Sequence, residues 1–156
     1  MVQISRLGRK KLGEVLVEEG VLKEDQLREA QLRIRATGEH LVDTLHGLGF
    51  ATETEVARVV AKKYGLPFID VSRYRIPRDA AEAVPVPFLR LNHMIALDKI
   101  GRTLVMAVGG GVNLEPLEKV ERLTGCQVFV YVSVLSKIMT ALDKMGSPAP
   151  AAAAKK

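Results

Sequence analysis

The sequence is poor in the residues from which disulfides, metal sites and membrane spans are built. It has one cysteine, Cys126, no tryptophan and only 4% aromatic residues in a chain of 156. A single cysteine forms no internal disulfide, and no histidine and cysteine cluster has the spacing of a zinc site. No stretch approaches the roughly 18 uncharged apolar residues of a membrane-spanning helix, and "MVQISRLGRKK" lacks the apolar core of a secretory signal. We therefore expect an ordered, cytoplasmic protein without a bound metal.

The basic residues of the chain are not concentrated on the helices that a DNA-binding protein would place against nucleic acid. The net charge is +5 and the pI is about 9.5. Residues 11–39 hold five basic and seven acidic side chains, a net charge of −2, whereas residues 58–102 hold nine basic and four acidic ones. Phosphate binding requires a contiguous basic face. A helix-turn-helix DNA-binding protein thus stays a less favoured alternative, and we expect no nucleic acid as partner.

Two stretches of the first half repeat each other. "KLGEVLVEEGVLKEDQL" at 11–27 and "HLVDTLHGLGFATETEV" at 40–56 carry matching leucine, glycine and glutamate residues at an offset of 29 positions. Both have apolar residues at helical spacing and a glycine suited to a helix end, and Thr52 with Glu55 has the pattern of a capping box. Neither helical hairpin buries its apolar face alone, so we predict two copies packed on each other.

The residue pattern of the second half is typical of an α+β fold. Residues 66–92 contain Pro67, Pro77, Pro85 and Pro87 and predict an extended connector with at most one short helix, near residues 78–83. Residues 93–146 predict a β-β-α-β-α lobe with a small mixed sheet. Its helices are expected to run from Asn113 to Gly125 and from Ser133 to Gly146. The predicted organisation is a helical repeat lobe at 1–65, the connector at 66–92, the mixed lobe at 93–146 and a flexible tail at 147–156.

No constellation of residues predicts catalysis. The histidines His40, His46 and His93 lack partners at the spacing of a catalytic triad or a metal site. The glycine run from Gly109 to Gly111 stands between a strand and a helix, an order that many folds use to hold phosphate, but it lacks the lysine and hydroxyl residue that end a P-loop. A turn that connects the strand to the helix is the simpler interpretation. We predict that the chain is not an enzyme and has no catalytic or metal-binding residues.

The repeat and the segments after it are similar to a known family. Two hairpins of the form L-G-x-x-L-V-x-x-G-x-L-x-x-x-x-L-x-x-A, then "YGLPFIDV" and "TLVMAVGGGVNLEPLEKVERLTG", resemble the N-terminal domain of the ATPases that power type II secretion and type IV pilus assembly. The similarity extends over roughly residues 10 to 146, and the chain has no Walker A sequence of a motor. It resembles the regulatory module alone, either as a stand-alone protein or as a piece of a longer one.

The resemblance implies a function in binding rather than in catalysis. In the family this domain docks on an inner-membrane platform protein or, in one branch, binds cyclic di-GMP. Our leading hypothesis is a non-catalytic interaction module whose partner is a platform protein or the secretion or pilus ATPase, with recruitment to the inner-membrane face through that partner. A cyclic di-GMP sensor with a degenerate motif is the alternative. The basic middle segment suits an acidic partner or an anionic membrane surface, although a solvated surface is the simpler interpretation.

The motif of the cyclic di-GMP branch is altered at its polar positions. That motif opens with Arg-Leu-Gly and closes with glutamine; here the two copies open at residues 11–13 and 40–42 and close at Ile34 and Lys63. Lysine lacks the planar fork of arginine, and isoleucine forms no side-chain hydrogen bond. Loss of two or more contacts of about 1–3 kcal/mol each weakens binding by orders of magnitude. If the alternative holds, the resemblance implies ligand contacts at Lys11, Leu12, Gly13, Leu16, Gly20, His40, Leu41, Leu45 and Gly49.

Overall fold

The computed structural model describes residues 2–3 and 11–146. The predicted flexible tail at 147–156 lies outside these residues. The α-helices are α1 Leu12–Glu18, α2 Glu24–Thr37, α3 Leu41–Leu48, α4 Glu53–Tyr64, α5 Arg78–Ala83, α6 Val86–Leu91, α7 Leu114–Thr124 and α8 Leu135–Gly146. The strands are β1 Val2–Gln3, β2 Met94–Ile100, β3 Thr103–Val108 and β4 Gln127–Val132. Within this part of the chain, no helix has the length and apolarity that crossing a membrane requires.

The first four helices begin and end where the repeat predicts. Gly38, Gly49 and Gly65 follow α2, α3 and α4 with φ of 75°, 74° and 65°, the left-handed conformation that glycine adopts at low cost. The capping box of α4 is formed: the Thr52 amide donates to Glu55 Oε1 at 2.9 Å, and the Glu55 amide donates to Thr52 Oγ1 at 3.1 Å. The local sequence therefore fixes these helix boundaries.

The two helical hairpins pack against each other as expected. Helix α1 contacts α4 and α2 contacts α3, so each copy buries its apolar face against the other. Leu16 and Leu45, which occupy equivalent positions in the two copies, are both fully buried. The predicted α+β architecture, a doubled helical hairpin followed by a small mixed lobe, is confirmed.

The connector contains more helix than the sequence analysis allowed. Helix α5 matches the predicted short helix, but a 3-10 helix at Val71–Arg73 and helix α6 are also present, so the expectation of at most one helix is wrong. Pro85 caps the start of α6 and Pro87 lies in its first turn, where a missing N–H leaves no intrahelical bond unmade. Leu89 of α6 is fully buried, and this burial stabilises the helix. The prolines at its start made the sequence pattern look extended.

The sheet has the strand order β1-β4-β3-β2. Strands β2 and β3 form an antiparallel hairpin around Gly101, whose φ is 60°, and β3 pairs in parallel with β4. These three strands and their mixed pairing are as predicted. Strand β1 was not predicted; it pairs antiparallel with β4, with Val2 opposite Val130. A two-residue strand is too short to give a pattern in the sequence.

The last helix begins later than predicted. Ser133 was expected to open it, but α8 starts at Leu135. The Ser133 amide donates to the carbonyl oxygen of Val108 at 3.0 Å, which ties this residue to the end of β3 and keeps it out of the helix. Its buried hydroxyl has no hydrogen-bond partner within the described part of the protein.

One cluster of buried apolar side chains joins the helical repeat to the sheet. It includes Leu16 and Leu45 from the repeat, Met106 and Val130 from the sheet, and Leu117 from α7. Burial of this continuous core holds the N-terminal ends of α1 and α3 against the end of β3. The division of the chain into separate lobes stays a prediction.

Candidate functional site

A cavity of about 680 Å³ lies where the helical repeat meets the sheet. It is lined by residues 11–12 and 40–42 at the starts of α1 and α3, by residues 91–93 at the end of α6, and by residues 110–115, which follow β3 and begin α7. Its volume is within the range of about 300–1,000 Å³ that is typical of small-molecule sites. Four separate parts of the chain thus form one concave surface.

The repeat brings equivalent residues of both copies to this cavity. Lys11 and His40, 29 positions apart, are the N-cap residues of α1 and α3, and both have extended backbone conformations. Each lies beside a leucine, Leu12 or Leu41, that also lines the cavity. Because the hairpins pack pseudo-symmetrically, two positions distant in sequence become neighbours at one site.

The glycine run forms a close contact between the sheet and the repeat. A Cβ placed on Gly111 lies 2.8 Å from Leu12 Cβ, and one on Gly110 lies 3.5 Å from Val42 Cγ2. A Cβ on Gly109 lies 2.9 Å from the Cα atom of Leu135 in α8. Real Cβ atoms do not approach backbone this closely, so Gly109 and Gly111 permit contacts that alanine would disturb. This packing role was not predicted from the sequence.

Two histidines meet at the cavity. The ring centroids of His40 and His93 are 3.8 Å apart in an edge-to-face arrangement with an interplanar angle of 63°. Burial lowers the pKa of His93, the charge of His40 lowers it further, and Asp43 acts in the opposite direction. His93 also has a φ of 55°, uncommon for a residue other than glycine. These residues are 53 positions apart in sequence, and no spacing rule indicates their contact.

The described residues at this site do not form a metal-binding group. Among residues 11–146, no three histidine, cysteine, aspartate or glutamate side chains are grouped so that they could hold a metal ion. The contact of His40 with His93 is therefore one between two aromatic rings rather than a pair within a larger ligand set.

The predicted ligand contacts fall into two groups. Four of the nine line the cavity, and the others lie elsewhere in the repeat. The four that line it are Lys11, Leu12, His40 and Leu41.

The remaining five have structural positions. Leu16 and Leu45 are 0% exposed and belong to the core. Gly20 and Gly49 adopt φ of 79° and 74° just after their helices. Gly13 is buried, and a Cβ at this position lies 2.7 Å from a leucine side chain of α2. In this structure the first group is open to a ligand, whereas the second shapes the scaffold.

Residues at the altered motif positions make contacts within the chain. Lys63 Nζ lies 3.5 Å from Glu18 Oε1, an ion pair that links α4 to the end of α1. The Lys11 amide donates to Glu14 Oε1 at 3.2 Å, and Ile34 is partly buried. Neither Ile34 nor Lys63 lines the cavity. The positions that close each copy of the motif thus lie outside the cavity that the openings line.

Comparison with known proteins links the chain to pilus ATPases. The MshEN domain family matches residues 64–152. The type IV pilus assembly ATPase PilB of Thermus thermophilus is 28% identical over 155 residues, which are 96% of this chain and 17% of that protein. PilB of Myxococcus xanthus is 25% identical over 134 residues, 86% of this chain and 24% of that protein. The chain therefore spans less than a quarter of the length of these relatives.

Solved structures share the fold. The structure of MshE with cdg, cyclic di-GMP, has a TM-score of 0.66 and 30% identity, and the match covers 88% of this chain and 99% of that one. The N-terminal domain of XpsE has a TM-score of 0.67, 20% identity and coverage of 88% and 98%, which shows the fold alone. The predicted family is confirmed. This chain belongs to the MshEN domain family, the regulatory module of type II secretion and type IV pilus ATPases.

Proposed function

We propose that this chain is a non-catalytic docking module of a type II secretion or type IV pilus system. Its partner would be an inner-membrane platform protein or the secretion or pilus ATPase, and any recruitment to the membrane would occur through that partner. The observation that carries the proposal is a complete doubled scaffold whose polar motif positions are replaced, as described for Lys11, Ile34, His40 and Lys63. A scaffold kept without its ligand groups favours a role in protein contacts.

Contacts of the replaced residues support this proposal. Lys63 is paired with Glu18 across the helical bundle, and the ring of His40 packs against His93. A ligand that used these side chains would compete with both contacts. Such competition reduces the affinity for a small ligand but leaves the outer faces of the helices available to a protein.

A binding assay with purified proteins tests the proposal. The full chain is immobilised, and the cytoplasmic domains of the platform proteins and the ATPase of the same organism are passed over it one at a time. Saturable binding of one of them, unchanged by cyclic di-GMP, is the expected result. An unrelated protein of similar pI is the control, since a chain of net charge +5 retains acidic proteins nonspecifically. Failure of every platform and motor domain to bind contradicts the proposal.

Binding of cyclic di-GMP is the second candidate function. It is favoured by the cavity of about 680 Å³, at which both motif openings meet, and by the 30% identity to MshE, whose structure contains cdg. The cavity also holds Lys11 beside the start of α3, and a helix N-terminus favours the negative charge of a phosphate. Titration with cyclic di-GMP distinguishes the candidates. Shifts of the Leu12, Leu41 and Gly110 amides establish binding, and their absence at high micromolar ligand excludes it.

A further inference from the structure

A second concave surface lies along α8 and shares no lining residue with the cavity described above. It has a volume of about 290 Å³ and runs between residues 71–76 and the last three turns of α8. We call it the basic groove. Its apolar part comes from Tyr74, Ile76, Ala141 and Met145, and its charged lining residues are Lys137 and Lys144.

The walls of the basic groove are held in place by polar contacts. Lys137 Nζ lies 3.1 Å from Asp70 Oδ2, which joins α8 to the start of the 3-10 helix. The Tyr74 hydroxyl donates to Asp98 Oδ2 at 3.3 Å, which ties the other wall to β2. A surface fixed in this way binds a partner without first paying for its own ordering.

The charge of the basic groove is of one sign. No acidic side chain lines it. Arg73 and Arg75 flank Tyr74 in sequence and are exposed but do not line the groove, and Arg73 Nε lies 3.7 Å from Asp70 Oδ2. The nearby Asp70 is already occupied: hydrogen bonds from Ser72 and the ammonium group of Lys137 hold the pKa of its carboxyl at about 2. Lys144 has no ion-pair partner among residues 11–146. The lining therefore combines an apolar strip with two lysines, of which Lys137 is paired with Asp70 and Lys144 is not paired.

We propose that the basic groove receives an acidic, apolar-anchored segment of the partner protein. This inference rests on the proposed docking function and names the surface that performs it. Apolar side chains of the segment would pack between Ile76 and Ala141, and its carboxylates would lie against Lys144 and the outer side of Lys137. Charge complementarity of this kind selects the partner and speeds its association, while the apolar contacts supply most of the affinity.

Helix geometry defines the spacing that the partner must match. Lys137, Ala141 and Lys144 lie on one face of α8, and the two lysines are two turns, or about 10 Å, apart. On the partner, two acidic residues seven positions apart on a helix, or three apart on a strand, span the same distance. Apolar residues between them would face Ala141.

Charge reversal within the groove tests the inference. The probe is whichever platform or motor domain binds the full chain in the assay described above. Lys144→Glu and Ala141→Glu should each weaken its binding by about ten- to a hundredfold, and the effect of Lys144→Glu should shrink as salt is raised. Arg102→Glu is the matched control, because it makes the same change of charge in the exposed turn between β2 and β3. It should leave the affinity unchanged, and circular dichroism should show all three variants folded.

Each other outcome overturns the inference in a recognisable way. Unchanged binding by both groove variants places the partner elsewhere and leaves the docking function intact. If no domain binds the unsubstituted chain, the proposed function fails, and the inference fails with it. Loss of self-association in the variants, measured by sedimentation, assigns the groove to a second copy. Tighter partner binding after removal of residues 147–156 assigns it to the chain's own tail. Loss of binding to anionic vesicles alone assigns it to a membrane surface.

Discussion

Substitution of Gly109 by alanine should destabilise the protein through a collision with the backbone of α8. The new Cβ would lie 2.9 Å from Leu135 Cα and 3.0 Å from Ile138 Cδ1. The isoleucine tip is able to move, but the Cα atom moves only if α8 moves with it. Overpacking of this kind typically costs about 1–3 kcal/mol. For a chain of this size, about 2 kcal/mol corresponds to a fall in Tm of roughly 4 to 8 °C.

Gly110 provides a control within the same turn. A Cβ at this position lies 3.5 Å from Val42 Cγ2, an ordinary van der Waals contact, and neither glycine has a positive φ. Gly110→Ala should therefore be neutral or stabilise by about 0.4–1 kcal/mol, since alanine restricts the unfolded chain. Urea unfolding of both variants measures the difference in their free energy of unfolding, provided that the two variants have the same m-value. Equal midpoints for Gly109→Ala and Gly110→Ala refute the packing argument.

Three further variants, two with one substitution and one with four, test other parts of the molecule. Thr52→Ala removes the capping box of α4 and should lower the free energy of unfolding by about 1 kcal/mol in a urea titration, whereas no loss means that the cap contributes little. Burial holds the pKa of His93 below its usual 6.5, so the unfolded chain binds a proton at this residue more strongly than the folded chain does. The free energy of unfolding should therefore be highest above pH 6.5 and should fall as the pH is lowered below it. His93→Asn, which tolerates the positive φ, should flatten this decline between about pH 7.5 and about pH 5.5; an equal decline contradicts it. Restoring the polar motif positions should produce cyclic di-GMP binding in a chain that lacks it, and isothermal titration calorimetry measures this. If no heat of binding is observed, other positions also determine the affinity. The restoring substitutions are Lys11→Arg, Ile34→Gln, His40→Arg and Lys63→Gln.

The sequence predicts those features that depend on neighbouring residues. Glycines such as Gly38 and Gly65 end helices by adopting the left-handed conformation, and the Thr52 cap acts over three positions. The hairpin of residues 94–108 is equally local, because two short apolar runs and the Gly101 turn between them are neighbours in sequence. For these elements, local propensity and the final packing agree.

The features that the sequence did not predict depend on distant contacts. Helix α6 forms because Leu89 is buried in the core, and this tertiary contact outweighs the low helix propensity of Pro85 and Pro87. The contact between His40 and His93 and the close packing of the glycine run likewise require two parts of the chain that only the fold brings together. The repeat indicated the helical side of the cavity, and the glycine run was noted as a possible phosphate-holding turn, but the sequence did not indicate that residues 91–93 and 110–115 lie beside the repeat.

The geometry of the repeat explains how the scaffold can persist when its ligand groups change. The residues that form the core, such as Leu16 and Leu45, are fully buried, whereas the opening residues Lys11 and His40 are exposed at the cavity. Substitution at the openings removes hydrogen-bonding groups without creating a cavity in the core, so it costs little stability. Ligand recognition and folding thus depend on different positions of the same motif, and a family member can lose the first while it retains the second. The docking function that we propose requires only the part that is retained.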